Sequence, residues 1–320
     1  MTEITPWHWF AFILGILFFL ALDLGVFHRR PRTVKFWEAA AWTVLWFALA
    51  MLFALALDHW RNRAEAGQFV TGYVIELSLS LDNVLVIALI FIYFRVPPEF
   101  QHRLLFWGIL GALVTRGAMI ALGVALVNQF DWILYVFGAF LIFAGIKMIL
   151  SKKELHPERN LVLRLAKRLF PVTPNFDGRK FFSKLDGKLA LTPLALVLLL
   201  VETIDLIFAV DSVPAVFSVT RNAFIVFTSN VFAIIGLRSM YFLLVGALEY
   251  FRYLKVCLTI VLIFIGTKML LDPHDHPPRP FQVEIPNSVS LMTVAAIVLI
   301  GVVLSVMVSE REKREKKLNR

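Results

Sequence analysis

Nine stretches of this chain are apolar over 19 to 27 residues each, and nothing constrains its fold more. They fall at 7–27, 36–57, 69–94, 104–127, 131–150, 192–218, 224–248, 253–271 and 287–308. A helix needs about 20 mostly apolar residues to cross a bilayer, and it satisfies its own backbone there. The reading is an all-α polytopic membrane protein of about nine transmembrane helices. Of the 320 residues, 59% are apolar and 17% charged, against about 25% charged in soluble domains. That excludes a soluble enzyme, a disordered chain and a secreted disulfide scaffold. The single cysteine, Cys257, cannot form an intramolecular disulfide. In the first run, Asp23 is followed by a basic cluster rather than a small-residue cleavage site, so the run reads as a retained span.

The net charge of +9 reports topology rather than nucleic-acid binding. Alternate gaps between spans lie on alternate sides of the membrane. One set of gaps carries 24 Lys and Arg, the other 4, and the remaining four lie in or near spans: Arg116, Lys147, Arg238 and Lys268. This asymmetry puts the N-terminus outside and the C-terminus in the cytoplasm of a bacterial plasma membrane. The chain reads as one transmembrane domain, with a basic cytoplasmic loop at 151–191 and a charged tail at 309–320. Within the loop, Leu161, Val162, Leu165 and Leu169 have helical spacing among Arg164, Lys167 and Arg168. They read either as a short amphipathic helix on the inner leaflet or as a solvated basic loop.

An internal repeat runs through the spans. Residues 130–150 match 251–271 at eight of 21 positions, among them Gly145/Gly266 and Lys147/Lys268, at an offset of 121. Glu76 and Asp82-Asn83 align with Asp205 and Asp211-Ser212 at an offset of 129, and Arg116 aligns with Arg238 at 122. Spans 3 to 5 (69–150) therefore correspond in order to spans 6 to 8 (192–271). Three spans separate the copies, so the copies cross in opposite directions. Inverted repeats of this kind build transporters whose site lies near the midplane.

Six acids lie within the spans: Asp23, Glu76, Asp82, Glu202, Asp205 and Asp211. Only Arg116 and Arg238 are comparably deep bases. Intramembrane charge costs about 2.5–3.5 kcal/mol per residue on insertion scales, so the excess of acids points to a cation. Arg116 and Arg238 are expected to pair with acids within each repeat, with Asp23 as a further supporting partner. Glu202 and Asp205 share a helix face. Glu76 and Asp82 differ by about 120° and about 9 Å of rise, so a shared ion needs local unwinding. Pro214, just after Asp211-Ser212, is expected to break or kink its span.

All seven histidines lie in gaps or at span ends, and no thiol is near the acids. The candidate ligands Glu76, Asp82, Asn83, Glu202, Asp205, Asp211 and Ser212 are all hard oxygen donors. They suit Mn²⁺, Ca²⁺ or Mg²⁺, and the chemistry does not choose among the three. The segment Asp272-Pro-His274-Asp275-His276 reads as a polar loop. No nucleotide-binding motif is present, which argues against direct coupling to ATP.

The stretches ELSLSLDN (Glu76–Asn83), VETIDLIFAVDSVPAVF (Val201–Phe217) and SNVFAIIGLRSMYFLL (Ser229–Leu244), with the two IFxGxKM blocks, resemble the TerC/Alx family of bacterial membrane proteins. The likeness covers roughly residues 7–308, within the LysE-like transporter group, whose members are named for tellurite resistance or alkali-induced expression. It implies a non-enzymatic exporter of Mn²⁺. Carried over by motif, Glu76, Asp82, Asp205 and Asp211 would be the functional acids, with Asp82 and Asp211 the foremost ligands and Glu76 and Asp205 either further ligands or the groups that exchange protons. The expectation is a secondary transporter, with proton exchange fitting its carboxylates, no resident cofactor and no nucleic-acid partner. Its surroundings are the lipid bilayer, with a homo-oligomer or a membrane protein partner left open. The other readings are a membrane partner that serves metal loading or quality control of exported proteins, and an exporter of another cation or an amino acid.

Overall fold

The computed structural model describes residues 4–22, 36–130, 132–150, 160–185, 187–245, 254–272, 282–283 and 285–318. Asp23, the basic cluster after it and most of the 272–276 segment lie outside them. The helices are α1 (Pro6–Leu22), α2 (Phe36–Trp60), α3 (Arg63–Tyr93), α4 (Pro98–Gln129), α5 (Ile133–Leu150), α6 (Leu161–Leu169), α7 (Pro193–Phe217), α8 (Ala223–Val245), α9 (Leu254–Leu271) and α10 (Asn287–Leu318). A short antiparallel hairpin, β1 (Phe182–Leu185) and β2 (Lys188–Leu191), precedes α7. Seven helices are long and apolar enough to cross a membrane: α2, α3, α4, α5, α7, α8 and the first part of α10. α1 and α9 are apolar but shorter over the described residues. The protein is thus an all-α polytopic membrane protein.

Local chemistry sets the helix starts. The side chain of Asn62 accepts a hydrogen bond from Glu65 N at 2.8 Å and caps α3. Asn160 caps α6 through Leu163 N at 3.1 Å, and Thr192 caps α7 through Ala195 N at 3.3 Å. Pro98 and Pro193 stand in first turns, where a missing N–H costs nothing. α3, capped by Asn62, and α4, started by Pro98 without a side-chain cap, both begin about six residues before their apolar runs. Pro214 does not break α7. The helix runs continuously through Asp211 and Ser212 to Phe217, so the proline costs one hydrogen bond in the last turn. α3 is also unbroken between Glu76 and Asp82.

α8 is buried over nearly its whole length and α3 over most of it. Both carry polar side chains into the interior: Ser78, Ser80 and Asn83 on α3, and Thr228, Ser229 and Asn230 on α8. Large apolar side chains such as Trp37, Leu52, Leu55 and Met292 point outward instead. In water such a surface would be an association patch; in lipid it faces its own solvent.

α3 packs along α8, α4 along α7, and α5 along α9. A Cβ on Gly72 would come within 3.0 Å of Ser229 Oγ, so α3 and α8 touch closely there. The α5–α9 contact is closer still. A Cβ on Gly266 would meet the Gly138 carbonyl at 2.7 Å, and one on Gly145 would meet the Thr259 carbonyl at 3.2 Å.

Ring contacts sort the loops onto two ends of the bundle. His8 and Trp9 of α1 reach Trp60 and Phe224, joining the N-terminal segment to the α2–α3 and α7–α8 turns. At the other end, Phe100 meets Phe176, and Arg103 covers the Phe181 ring at 4.7 Å, joining the α3–α4 turn to the segment before α7. α6 is a helix, and Leu163 and Ala166 form its buried side. It packs against α7, leaving Leu161, Val162, Leu165 and Leu169 exposed.

Gly266→Ala is expected to lower the thermal unfolding midpoint in detergent, corresponding to about 1–3 kcal/mol of overpacking. Gly67→Ala, where a Cβ would face open space within α3, should leave it unchanged or raise it. A second expectation concerns the hairpin. Ser183 Oγ donates to Asp177 at 2.7 Å and Lys180 Nζ donates at 3.3 Å, and together they hold the Asp177 carboxyl below the usual carboxylate range. A depressed folded-state value means that this support is complete above the ordinary carboxylate pKa, about 4. It is lost as pH falls through the depressed value. Amide protection of β1 should therefore fall on acidification, and Asp177→Asn should flatten that dependence.

Candidate functional site

Near mid-length, α3, α4, α7 and α8 converge on one guanidinium. Arg116 of α4 is 1% exposed. Its Nη1 ion-pairs with Glu76 of α3 and donates to Ser212 Oγ of α7 at 3.0 Å and to Asn230 Oδ1 of α8 at 3.3 Å. Its Nη2 donates to Asp205 Oδ1 of α7 at 3.1 Å. Arginine suits this position because its planar fork satisfies several acceptors at once and keeps its charge when buried.

Three oxygens around this centre keep unused capacity. Glu76 is fully buried, and its Oε2 has no hydrogen-bond partner. Neither Ser80 Oγ nor Asn83 Oδ1, also on α3, has one. At spacings of four and seven, Glu76, Ser80 and Asn83 lie on one helix face. The Glu202 carboxylate lies against Gly111 of α4, in the space a Cβ there would fill. Glu202 is half-buried, as are Asp82 and Asp211.

Of the residues singled out by sequence, the structure brings Glu76, Asp205, Ser212 and Arg116 together and sets Glu202 one turn before Asp205. Among the described residues, no group of three or more His, Cys, Asp or Glu side chains is assembled as a metal cage. The guanidinium stands between Glu76 and Asp205 instead. Arg116 also reaches beyond its own repeat: it holds Glu76 from the first and Asp205 from the second. Arg238 takes a different position, with Nη2 3.1 Å from His102 Nδ1 of α4. His102 stacks on Phe242, and beside it Tyr241 donates to Gln101 at 3.1 Å. A cavity of about 30 Å³, room for one or two waters, is lined by residues that include Asp205, Arg238, Tyr241 and Val84.

The sequence reading missed Asn230, His102, Gln101 and Ser80. Asn230 had a usable signal, as an amide in an apolar span eight residues before Arg238. His102 and Gln101 looked like loop residues because α4 begins earlier than its apolar run.

Fold and centre together define an integral multi-pass helical membrane protein with a charged, hydrogen-bonded interior. The chain belongs to the integral membrane protein TerC family, whose model matches residues 61–317. An uncharacterized membrane protein of Myxococcus xanthus is 50% identical over 307 residues, covering 95% of this chain and 93% of that protein. A protein of Photorhabdus laumondii, provisionally named as the membrane-bound redox modulator Alx, is 44% identical over 322 residues, covering 97% and 98%. The relative of that name in Escherichia coli K12 is 44% identical over 325 residues, covering 98% of each. No solved structure matches the chain.

Arg116→Gln is expected to lower stability by about 3–5 kcal/mol, because it leaves two buried carboxylates without their cation. Arg116→Lys should recover part of that loss. Thermal unfolding of the purified variants in detergent measures both.

Proposed function

We propose that this protein is a secondary transporter that moves a divalent cation, Mn²⁺, out of the cytoplasm through the centre of the helix bundle. The observation that carries the reading is the buried oxygen cluster: Glu76, Asp205, Ser212 and Asn230 gathered on one guanidinium, with Glu76 Oε2, Ser80 Oγ and Asn83 Oδ1 still unpartnered. These are hard oxygen donors, the chemistry Mn²⁺ shares with Ca²⁺ and Mg²⁺. An incoming cation would compete with Arg116 for Glu76 and Asp205. Asp82, Glu202 and Asp211 would serve as entry ligands or as the groups that carry protons the other way. The protein is then not an enzyme. It sits in the bacterial plasma membrane, with the 151–191 loop and C-terminal tail in the cytoplasm.

The packing supports an inverted repeat of 69–150 and 192–271. Exchanging the two segments maps the α3–α8 contact onto α7–α4 and the α5–α9 contact onto itself. It also maps the Gly138–Gly266 contact onto Thr259–Gly145. The grouping of loops at two ends of the bundle supports nine crossings. A second reading, a membrane partner that modulates redox state, is prompted by the names of the relatives. Against it stands the one buried thiol, Cys257, which cannot act as a dithiol within this chain.

Metal flux in proteoliposomes is the test, comparing Mn²⁺, Ca²⁺ and Mg²⁺ with and without a pH gradient. Mn²⁺ flux is expected, with at least tenfold loss in Asp205→Asn and Glu202→Gln. Flux of Ca²⁺ alone would replace the substrate, and absence of any metal flux would sink the transporter reading.

A further inference from the structure

The two arginines of the repeat occupy unlike positions, and the orphaned oxygens mark where the second one is missing. Exchanging the repeats maps Arg116 onto Arg238, Asp205 onto Glu76 and Ser212 onto Asn83. On one side of this exchange the contacts are made: Arg116 donates to Asp205 at 3.1 Å and to Ser212 at 3.0 Å. On the other side the image contact to Asn83 is open. Asn83 Oδ1 is buried without a hydrogen-bond partner, and so is Glu76 Oε2. Arg238 Nη2 instead meets His102 Nδ1 at 3.1 Å. α8 carries Arg238 and packs along α3, which carries Glu76 and Asn83. The narrow cavity that Arg238 lines also borders Val84, the residue after Asn83, and reaches Asp205.

We infer that Arg238 is the alternate counter-charge of the central acids: in the opposite-facing state it leaves His102 and binds Glu76 and Asn83, while Arg116 withdraws. The inference rests on the repeat reading proposed above. An unpaired carboxylate buried in a helix bundle is costly, so a carrier that opens to both sides must keep its acids compensated between ions. Two arginines related by the repeat meet that need. Arg116 holds the acids in one facing and Arg238 in the other, and the cation replaces whichever is present. His102 is a resting partner of Arg238, a positioning residue that touches no cargo.

The test is a double-mutant cycle on the full-length protein, read by thermal unfolding in detergent and therefore independent of transport. If neither arginine takes the other's place, each loss is independent of the other and the midpoint shifts of Arg116→Gln and Arg238→Gln add. The exchange predicts otherwise. In Arg116→Gln, Arg238 moves in and limits the loss, so the double variant should fall by clearly more than the sum of the two single shifts. Gly138→Ala combined with Arg116→Gln is the control and should be additive. If Arg116→Gln does not accumulate in the membrane, Arg116→Lys takes its place with the same expectation. Shifts that add in both cycles would overturn the exchange. Coupling without any metal flux would leave the exchange standing and remove the transporter reading.

Discussion

One side chain, Arg116, ties four helices of this structure together. A guanidinium that is 1% exposed within an apolar bundle has to be satisfied from every direction. Here the acceptors come from three other helices: Glu76 on α3, Asp205 and Ser212 on α7, and Asn230 on α8. Four helices are thereby tied at one depth, and their rotations are set, because turning any of them would strand a charge. Lipid tails are as apolar as leucine, so helices in a bilayer gain little by hiding apolar faces from each other. Polar pairing at the centre and close backbone contact at the edge replace that driving force.

The same reasoning explains an arrangement opposite to that of a soluble protein. The most buried helix, α8, brings Thr228, Ser229, Asn230, Arg238 and Ser239 inside, whereas α2 and α10 turn tryptophan, leucine and methionine outward. Burial and hydrophobicity are decoupled. What distinguishes an interior position is a hydrogen-bonding partner or a small residue that lets two backbones meet.

That decoupling decides what could be read from the chain alone. The helices were legible because their length and apolar content are physical requirements of spanning a bilayer. The acids and arginines of the centre were legible for a related reason: a charge placed mid-span stands out against apolar neighbours. Depth along a helix, however, says nothing of which helix lies alongside. Arg116 was expected to hold acids within its own repeat; that it also holds Asp205 depends on α4 packing against α7, a long-range contact with no local signature. Pro214 pointed to a broken helix because its effect depends on its distance from the helix end, and the capping that ends α7 at Phe217 is not evident in the sequence. At α6 the spacing of leucines was readable. The side that docks on the bundle proved to be Leu163 and Ala166, between the expected apolar positions and the basic residues.

The crossing of α5 and α9 has a mechanical meaning. Where Gly138 and Gly266 meet, each glycine Cα lies against the carbonyl of the other, with no side chain from either interposed. Interlocked side chains resist sliding because each must leave its groove before the next can be entered. Here the backbone contact is bounded by such teeth, since Leu270 packs beside Gly138 and Ile142 beside Gly266. Sliding α5 along α9 would therefore have to repack Leu270 and Ile142, so the crossing holds the two helices in register like a keyed joint.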